Sequence, residues 1–120
     1  MAVQGILLSI PGTIAGADLS AAQFLCGMLD GAADYSVVVS DGTAGIGVIQ
    51  TNPPNVGESV QVAMSGLLKV VGDAAIVAGT PLFIGATGQA SAAGTVALGV
   101  AMSTTTAAGE LVEVLTSGMV

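Results

Sequence analysis

The sequence predicts an all-β fold, a compact β-barrel or β-sandwich with little helix. Apolar residues alternate with polar ones at a period of two, as in Ser59-Val60-Gln61-Val62, and this is the periodicity of a half-buried strand. Shorter apolar runs stand between turn signals such as Asp41-Gly42 and Thr87-Gly88. The chain also repeats itself at an offset of 52 residues. These three observations predict a framework of short strands joined by tight turns.

The internal repeat keeps its spacing without a gap. Gly47-Val48 and Gly57-Glu58-Ser59-Val60-Gln61-Val62 return as Gly99-Val100 and Gly109-Glu110-Leu111-Val112-Glu113-Val114. The shared residues are glycines and alternating valines, which build a scaffold and carry no reactive chemistry. Repeats at a fixed period indicate that one supersecondary unit has been duplicated.

The expected organisation follows from this repeat. At 120 residues the chain has the length of one domain. We expect residues 13–120 to form a single β domain of two repeated hairpin units, about 15–68 and 69–120. Residues 1–12 precede the first unit and are expected to form an N-terminal arm or an added edge strand that ends at Pro11-Gly12.

Helix is expected only near Asp18, which stands where it could cap a short turn. Residues 22–29 align with a segment of the second unit that ends in Pro81, a poor fit to helix. The alignment therefore favours a strand over residues 23–28. The equally long loops 51–57 and 103–109 each join a Gly-Val strand to a strand that begins with Gly-Glu.

The charge balance excludes several classes of partner. Eight acidic residues face one base, Lys69, and the net charge is −7. Binding to nucleic acid or to an anionic membrane requires clusters of Lys and Arg, so neither is expected as a partner. Residues 74–109 carry no charge, but glycines and Pro81 interrupt them before a run of about 18 apolar residues is reached.

Catalytic and metal-binding groups are scarce. The absence of His excludes Ser-His-Asp and Cys-His catalysis, and the lone Cys26 is expected to be a small buried apolar residue. Asp30, Asp34 and Asp41 are interpreted as turn formers, and Glu58 and Glu110 as charges on strand edges. We therefore expect no enzyme, no cofactor and no metal. An enzyme that used carboxylates alone would need two acids converging in one cleft.

Low charge and few aromatic residues favour self-association. Hydrophobic residues make up 52% of the chain, yet Phe24, Tyr35 and Phe83 are its only aromatic residues. A surface with so little charge can be covered in a closed oligomer, and we expect a homotrimer. The uncharged N-terminal segment is expected to contact the neighbouring subunit or another partner through Val3, Gln4, Ile6, Leu7, Leu8 and Ile10.

An ordered series of features carries a resemblance to a known family. Ala17-Asp18-Leu19-Ser20 precedes Gln23-Phe24, and Gly47-Val48-Ile49 leads to the first Gly-Glu strand. The series continues with Lys69-Val70, the segment from Ala74 to Leu82, Leu98-Gly99-Val100-Ala101-Met102 and the second Gly-Glu strand. From about residue 15 to 117 the chain resembles the capsid cement, or head decoration, proteins of tailed bacteriophages.

This resemblance implies a structural protein of the virion. Such proteins are compact β folds on the outer face of the capsid. They commonly form trimers that clamp subunits of the major capsid protein after the shell has expanded. A trimeric surface- or carbohydrate-binding module of a virion spike or fibre is the alternative, and it would require a pocket with aromatic platforms.

Overall fold

The structure is a computed structural model that describes residues 7–116, and it confirms the predicted all-β class. These residues form ten strands and no helix. No helix capable of crossing a membrane is therefore present in that range. The strands are β1 (Leu7–Ile10), β2 (Ile14–Ala15), β3 (Cys26–Leu29), β4 (Ser36–Val39), β5 (Gly47–Ile49), β6 (Val62–Val71), β7 (Pro81–Ile84), β8 (Ala90–Ser91), β9 (Ala97–Ala101) and β10 (Leu111–Thr116).

Strands β1 to β5 and the start of β6 form what we call the first β-unit. The pairs run β2-β4-β3-β5-β6, and β1 lies against β6. The amide of Ala15 donates to the Glu58 carbonyl (2.8 Å) and that of Gly57 donates to the Ala15 carbonyl (2.8 Å). These bonds join the end of the β5–β6 loop to β2, near the start of the unit. The unit encloses an apolar cluster of Ala15, Leu19, Ala22, Val37, Ile49, Val60 and Val62.

The rest of β6 and strands β7 to β10 form the second β-unit. The pairs run β6-β10-β9-β7-β8, and a parallel bridge joins Gly72 to Ala90. The amide of Gly72 donates to the Glu110 carbonyl (3.0 Å) and that of Gly109 to the Gly72 carbonyl (2.9 Å). Its buried residues include Leu68, Val70, Ile76, Leu82, Ile84, Leu98, Val112 and Val114.

Strand β6 is common to both units. Its first residues pair with β1 and β5, and its later residues pair with β10. Gly66 lies at the junction, opposite both Leu7 and Thr116, with a positive φ of 115° that disfavours other residues. Because one continuous strand serves both units, the register of each is tied to that of the other.

The two strand–loop–strand segments make corresponding hydrogen bonds at the spacing of the sequence repeat. Gln50 donates its amide to the Gln61 carbonyl, and Met102 donates its amide to the Glu113 carbonyl, both at 2.7 Å. A Cβ atom on Gly47 would clash with the Ala63 carbonyl oxygen, and one on Gly99 would clash with that of Leu115. The repeated glycines therefore stand where neighbouring backbone leaves no space for a side chain.

Two features differ from the sequence-based expectations. Residues 23–25 form a turn, because Leu25 donates its amide to the Ala22 carbonyl and Phe24 has a φ of +67°, so the strand begins only at Cys26. Ala63 is fully buried, although the alternation along the strand predicts that it faces solvent on the side away from Val62. Val62 is also fully buried. Both faces of β6 are covered at this point. Val62 belongs to the apolar cluster of the first unit, and Ala63 belongs to the cluster that holds the buried residues of the second unit.

Residues Leu7–Ile10 are a strand of the sheet and not a free extension. Leu7 and Leu8 pair with Gly66 and Ser65, and a register shift follows before Ser9 and Ile10 pair with Ala63 and Val62. Ile10 packs against the apolar cluster of the first unit. Residues 1–6 of the expected arm lie outside the described range.

The facing of β6 and β10 leads to a folding prediction. We expect Val62→Asp and Val114→Asp each to destabilise the protein by at least about 4 kcal/mol, because each buries an unpaired carboxylate. Gln61→Asp is the matched control, since Gln61 is exposed and turned to the opposite side of the strand. Chemical denaturation of the three variants measures this. Equal midpoints would contradict the assigned facing.

Candidate interaction surface

The predicted N-terminal contact residues fall into two groups. Val3, Gln4 and Ile6 lie outside the described residues. Leu7, Leu8 and Ile10 belong to β1, where the half-buried Ile10 packs against the first unit's own core. Residues 7–10 therefore lie against β6, and a contact role for these six residues remains a prediction.

Large exposed apolar side chains gather in two places on the described surface. The first is the turn between β3 and β4, where Leu29 is 53% exposed and Tyr35 is 59% exposed. The second is the outer face of β9 and β10, which carries Val100, Met102 and Leu115. The exposed Val56 and Val77 lie elsewhere, on loops. Sequence alternation alone did not reveal these patches, because it does not show which outer faces the fold leaves uncovered.

The β3–β4 turn is held by its own polar groups. Asp30 accepts a hydrogen bond from the Ala32 amide (2.9 Å) and another from the Ser36 hydroxyl (3.0 Å). Tyr35 has a φ of +62°, which is uncommon for an aromatic residue and directs the chain sharply into β4. The turn borders an open groove lined by Leu29, Gly31, Ala32, Ala33, Asp34 and Tyr35. This groove is formed by a short, internally bonded segment.

The β9–β10 face is a regular row across three paired strands. Pro81 pairs with Val100, and Val100 pairs with Leu115, so the three side chains lie side by side. All three residues are exposed. Met102 lies two residues beyond Val100 and is 54% exposed. We call Pro81, Val100 and Leu115 the outer row of the second unit.

The repeated acids Glu58 and Glu110 organise their own loops. The Glu58 carboxylate accepts the Asn55 amide at 2.8 Å, and the Glu110 carboxylate accepts the Thr106 amide at 2.6 Å. The bond from Thr106 is the main reason that the pKa of Glu110 lies below its usual value. The role of these acids is therefore to close the turns, which their interpretation as strand-edge charges did not include.

The other acids with lowered pKa values act in the same way. The pKa of Asp18 is lowered by hydrogen bonds from Ser20, and the pKa of Asp41 is lowered by hydrogen bonds from Thr43. These short local bonds confirm that Asp41 forms a turn. Within residues 7–116, no three His, Cys, Asp or Glu side chains converge on a site that could hold a metal ion.

Cys26 is fully buried, as the sequence predicted. Burial raises the pKa of its thiol to about 12, so the group stays protonated at neutral pH and is a poor nucleophile. Lys69 lies over the ring of Phe24 at 4.7 Å and stands opposite Glu113 in the β6–β10 register. The single base of the chain is thus engaged between the two units.

A second groove follows the β5–β6 loop and is lined by Thr51, Asn52, Pro53, Pro54, Glu58, Ser59 and Gln61. It contains no aromatic side chain, and the groove at the β3–β4 turn contains only Tyr35. A carbohydrate site normally stacks sugar faces on aromatic rings. Neither of these two grooves offers the pair of platforms that the alternative reading requires.

The loop carboxylates predict the acid sensitivity of the fold. Because the pKa of Glu110 is lowered in the folded state, its stabilising contribution is present at neutral pH and is lost as pH falls through that lowered value. We expect Glu110→Gln to lower the Tm by a few degrees at neutral pH and to reduce the loss of Tm on acidification. Asp34→Asn, a change in an exposed turn, is the charge-matched control. Thermal melting across the acid range tests this, and an unchanged acid response would contradict it.

Comparison with known proteins identifies the family of the chain. A search of curated proteins gives no match. The sequence profile of the family described as phage cement protein matches residues 28–117, which is three quarters of the chain and extends from β3 into β10 and beyond. The matched range contains both exposed apolar patches and both Gly-Glu loops. The chain belongs to the phage cement protein family.

Proposed function

We propose that the protein decorates the outer surface of a phage head, binds the major capsid protein and stabilises the expanded shell. The family match over residues 28–117 is the observation that carries this proposal. The described residues support a structural role. The carboxylates of Glu58 and Glu110 accept hydrogen bonds that close turns, and the Cys26 thiol is buried and protonated. A protein that acts by contact needs exposed apolar surface, and the two patches supply it.

The thermodynamic basis of cementing is linkage. A protein that binds the expanded shell but not its dissociated subunits stabilises that shell in proportion to the logarithm of its concentration over its dissociation constant. The net charge of −7 makes attraction by basic residues of this chain a minor contribution, since Lys69 is its only base. Apolar contact and hydrogen bonds from exposed backbone are therefore the proposed source of affinity.

We also propose a homotrimer. Only 8% of the residues are charged, while several large apolar side chains are exposed on the described surface. Closed symmetry covers such patches and presents several copies of one shell-binding segment at once. The proposed shell contacts are Val3, Gln4 and Ile6, with Leu7 and Leu8 beside them and Ile10 anchoring the segment in the first core.

Shell binding is tested directly by cosedimentation. We expect the purified protein to sediment with empty expanded shells and to raise their melting temperature in proportion to the sites filled. Unexpanded shells are the matched control and should bind less. Bare and decorated shells that melt at the same temperature would contradict the cementing role.

The contact segment is tested by a deletion that spares β1. Removal of residues 2–6 leaves the β1–β6 pairing and Ile10 in place, so we expect the protein to fold with an unchanged Tm. Its affinity for shells should fall by more than the loss at one subunit, because three segments of a trimer bind together. Replacement of residues 2–6 by Gly and Ser is a length-matched control and should bind as weakly as the deletion. Full binding by the deleted protein would place the shell contact elsewhere.

A further inference from the structure

The first β-unit has a row of side chains that corresponds to the outer row of the second. Cys26 pairs with Val48, and Val48 pairs with Ala63, across β3, β5 and β6. In the second unit, Pro81, Val100 and Leu115 occupy the same order across β7, β9 and β10. Val100 and Leu115 stand 52 residues after Val48 and Ala63, the spacing of the sequence repeat. We call Cys26, Val48 and Ala63 the inner row.

The inner row is covered by the second unit. All three of its residues are fully buried and share one core cluster with Leu82, Ile84 and Val96. The turn between β7 and β8 sits on the strand that begins this row, because the Cys26 amide donates to the Gly88 carbonyl at 2.7 Å. A Cβ atom on Gly88 would lie 2.7 Å from Val39 Cγ1. The β7–β8 turn of one unit is therefore closely fitted against the other.

The outer row has no such cover within the described chain. Val100 is 42% exposed and Leu115 is 52% exposed, whereas Val48 and Ala63 are fully buried. The segment of the first unit that corresponds to the β7–β8 turn is the β3–β4 turn. The strand registers support this correspondence. The last residue of β3, Leu29, pairs with Val37 of β4, and the last residue of β7, Ile84, pairs with Ala90 of β8. This turn is exposed and carries Leu29 and Tyr35.

We infer that the outer row of one copy is the docking surface for the β3–β4 turn of a second copy, in a head-to-tail contact that repeats the packing between the two units of one chain. In the intramolecular interface the corresponding row and turn are already joined, and the contact between copies continues that packing from one chain to the next. Within residues 7–116, one row and one turn thus lack a partner, and each corresponds to a surface whose counterpart in the other unit is already packed. A head-to-tail contact of this kind closes into a ring if its rotation permits.

The contact differs from its intramolecular counterpart in one respect. Pro81 replaces Cys26 at the start of the row and has no N–H, so the hydrogen bond to a turn carbonyl is absent. The intermolecular contact therefore depends on side chains. Tyr35, Leu29, Val100, Met102 and Leu115 supply them, and Tyr is one of the residue types enriched among those that carry most of the binding free energy in protein interfaces.

The inference deepens the proposed homotrimer by naming its two surfaces, and single variants test each surface without shells. Leu115→Asp changes the outer row and Tyr35→Asn changes the turn, where Asn tolerates a positive φ. Each should raise the dissociation constant of the assembly by about 30-fold or more, the effect of losing an interface hot spot. Val56→Asp and Val77→Asn are controls at exposed apolar positions outside both surfaces.

Sedimentation equilibrium gives the mass of each variant, and circular dichroism shows that it is folded. If Leu115→Asp fails to fold, Val100→Thr, a change of similar volume in an exposed position, replaces it. We expect monomers for the row and turn variants and wild-type masses for the controls. Wild-type masses for all variants would overturn the inference.

Mixing the two variants provides the decisive measurement. Tyr35→Asn retains an intact outer row and Leu115→Asp retains an intact turn, so an equal mixture should form one productive contact and a mass of two chains. A mixture that stays monomeric, or a Tyr35→Asn variant that still self-associates through its outer row, would overturn the head-to-tail arrangement. A monomeric wild-type protein that nevertheless sediments with shells would overturn this inference and the proposed homotrimer, and would leave the proposed cementing role standing. An oligomer that depends on both surfaces but fails to bind shells would support this inference and overturn the proposed cementing role.

Discussion

Strand β6 pairs with β1 and β5 through its first residues and with β10 through its last, and this sharing is the constraint on which both β-units depend. A shift of one residue in β6 would turn Val62 and Val70 away from their cores at the same time, since side chains alternate along a strand. Gly66 occupies the junction with a φ of 115°, a backbone conformation that residues with a side chain rarely adopt. The two units therefore fold as one sheet.

The aliphatic core determines how closely the units approach. Small residues line the boundary on both sides, with Cys26 and Ala63 in the inner row and Gly88 in the turn that covers it. Larger side chains at these positions would separate the units and open cavities, which cost stability in proportion to their volume. Small residues at the boundary thus allow the two units to pack closely against each other.

The acidic surplus is used largely within loops. Glu58, Glu110, Asp18 and Asp41 each accept hydrogen bonds from backbone amides a few residues away, and these bonds fix turns that contain few apolar contacts. Charge is thus concentrated at the turns, and the outer row of the second unit contains no charged residue, although Glu113 lies on β10 two residues before Leu115. The three residues of the outer row can therefore associate without burying a carboxylate of their own, which would be costly, and the neighbouring Glu113 stands opposite Lys69 in the β6–β10 register.

The sequence by itself determined the all-β class, the inward positions of Val60, Val62, Val112 and Val114, the burial of Cys26 and the membership suggested by the order of its motifs. These follow from local alternation and from turn chemistry, which need no knowledge of distant contacts. Only the tertiary structure decided that the equivalent residues Val48 and Val100 have opposite environments, one fully buried and one exposed. The local sequence pattern predicts the same strand face for both residues. Their burial, however, depends on whether the other unit covers that face, and this is decided by contacts between residues far apart in the sequence. The same reason applies to the N-terminal segment, in which pairing with β6 decided that Leu7–Ile10 is a strand.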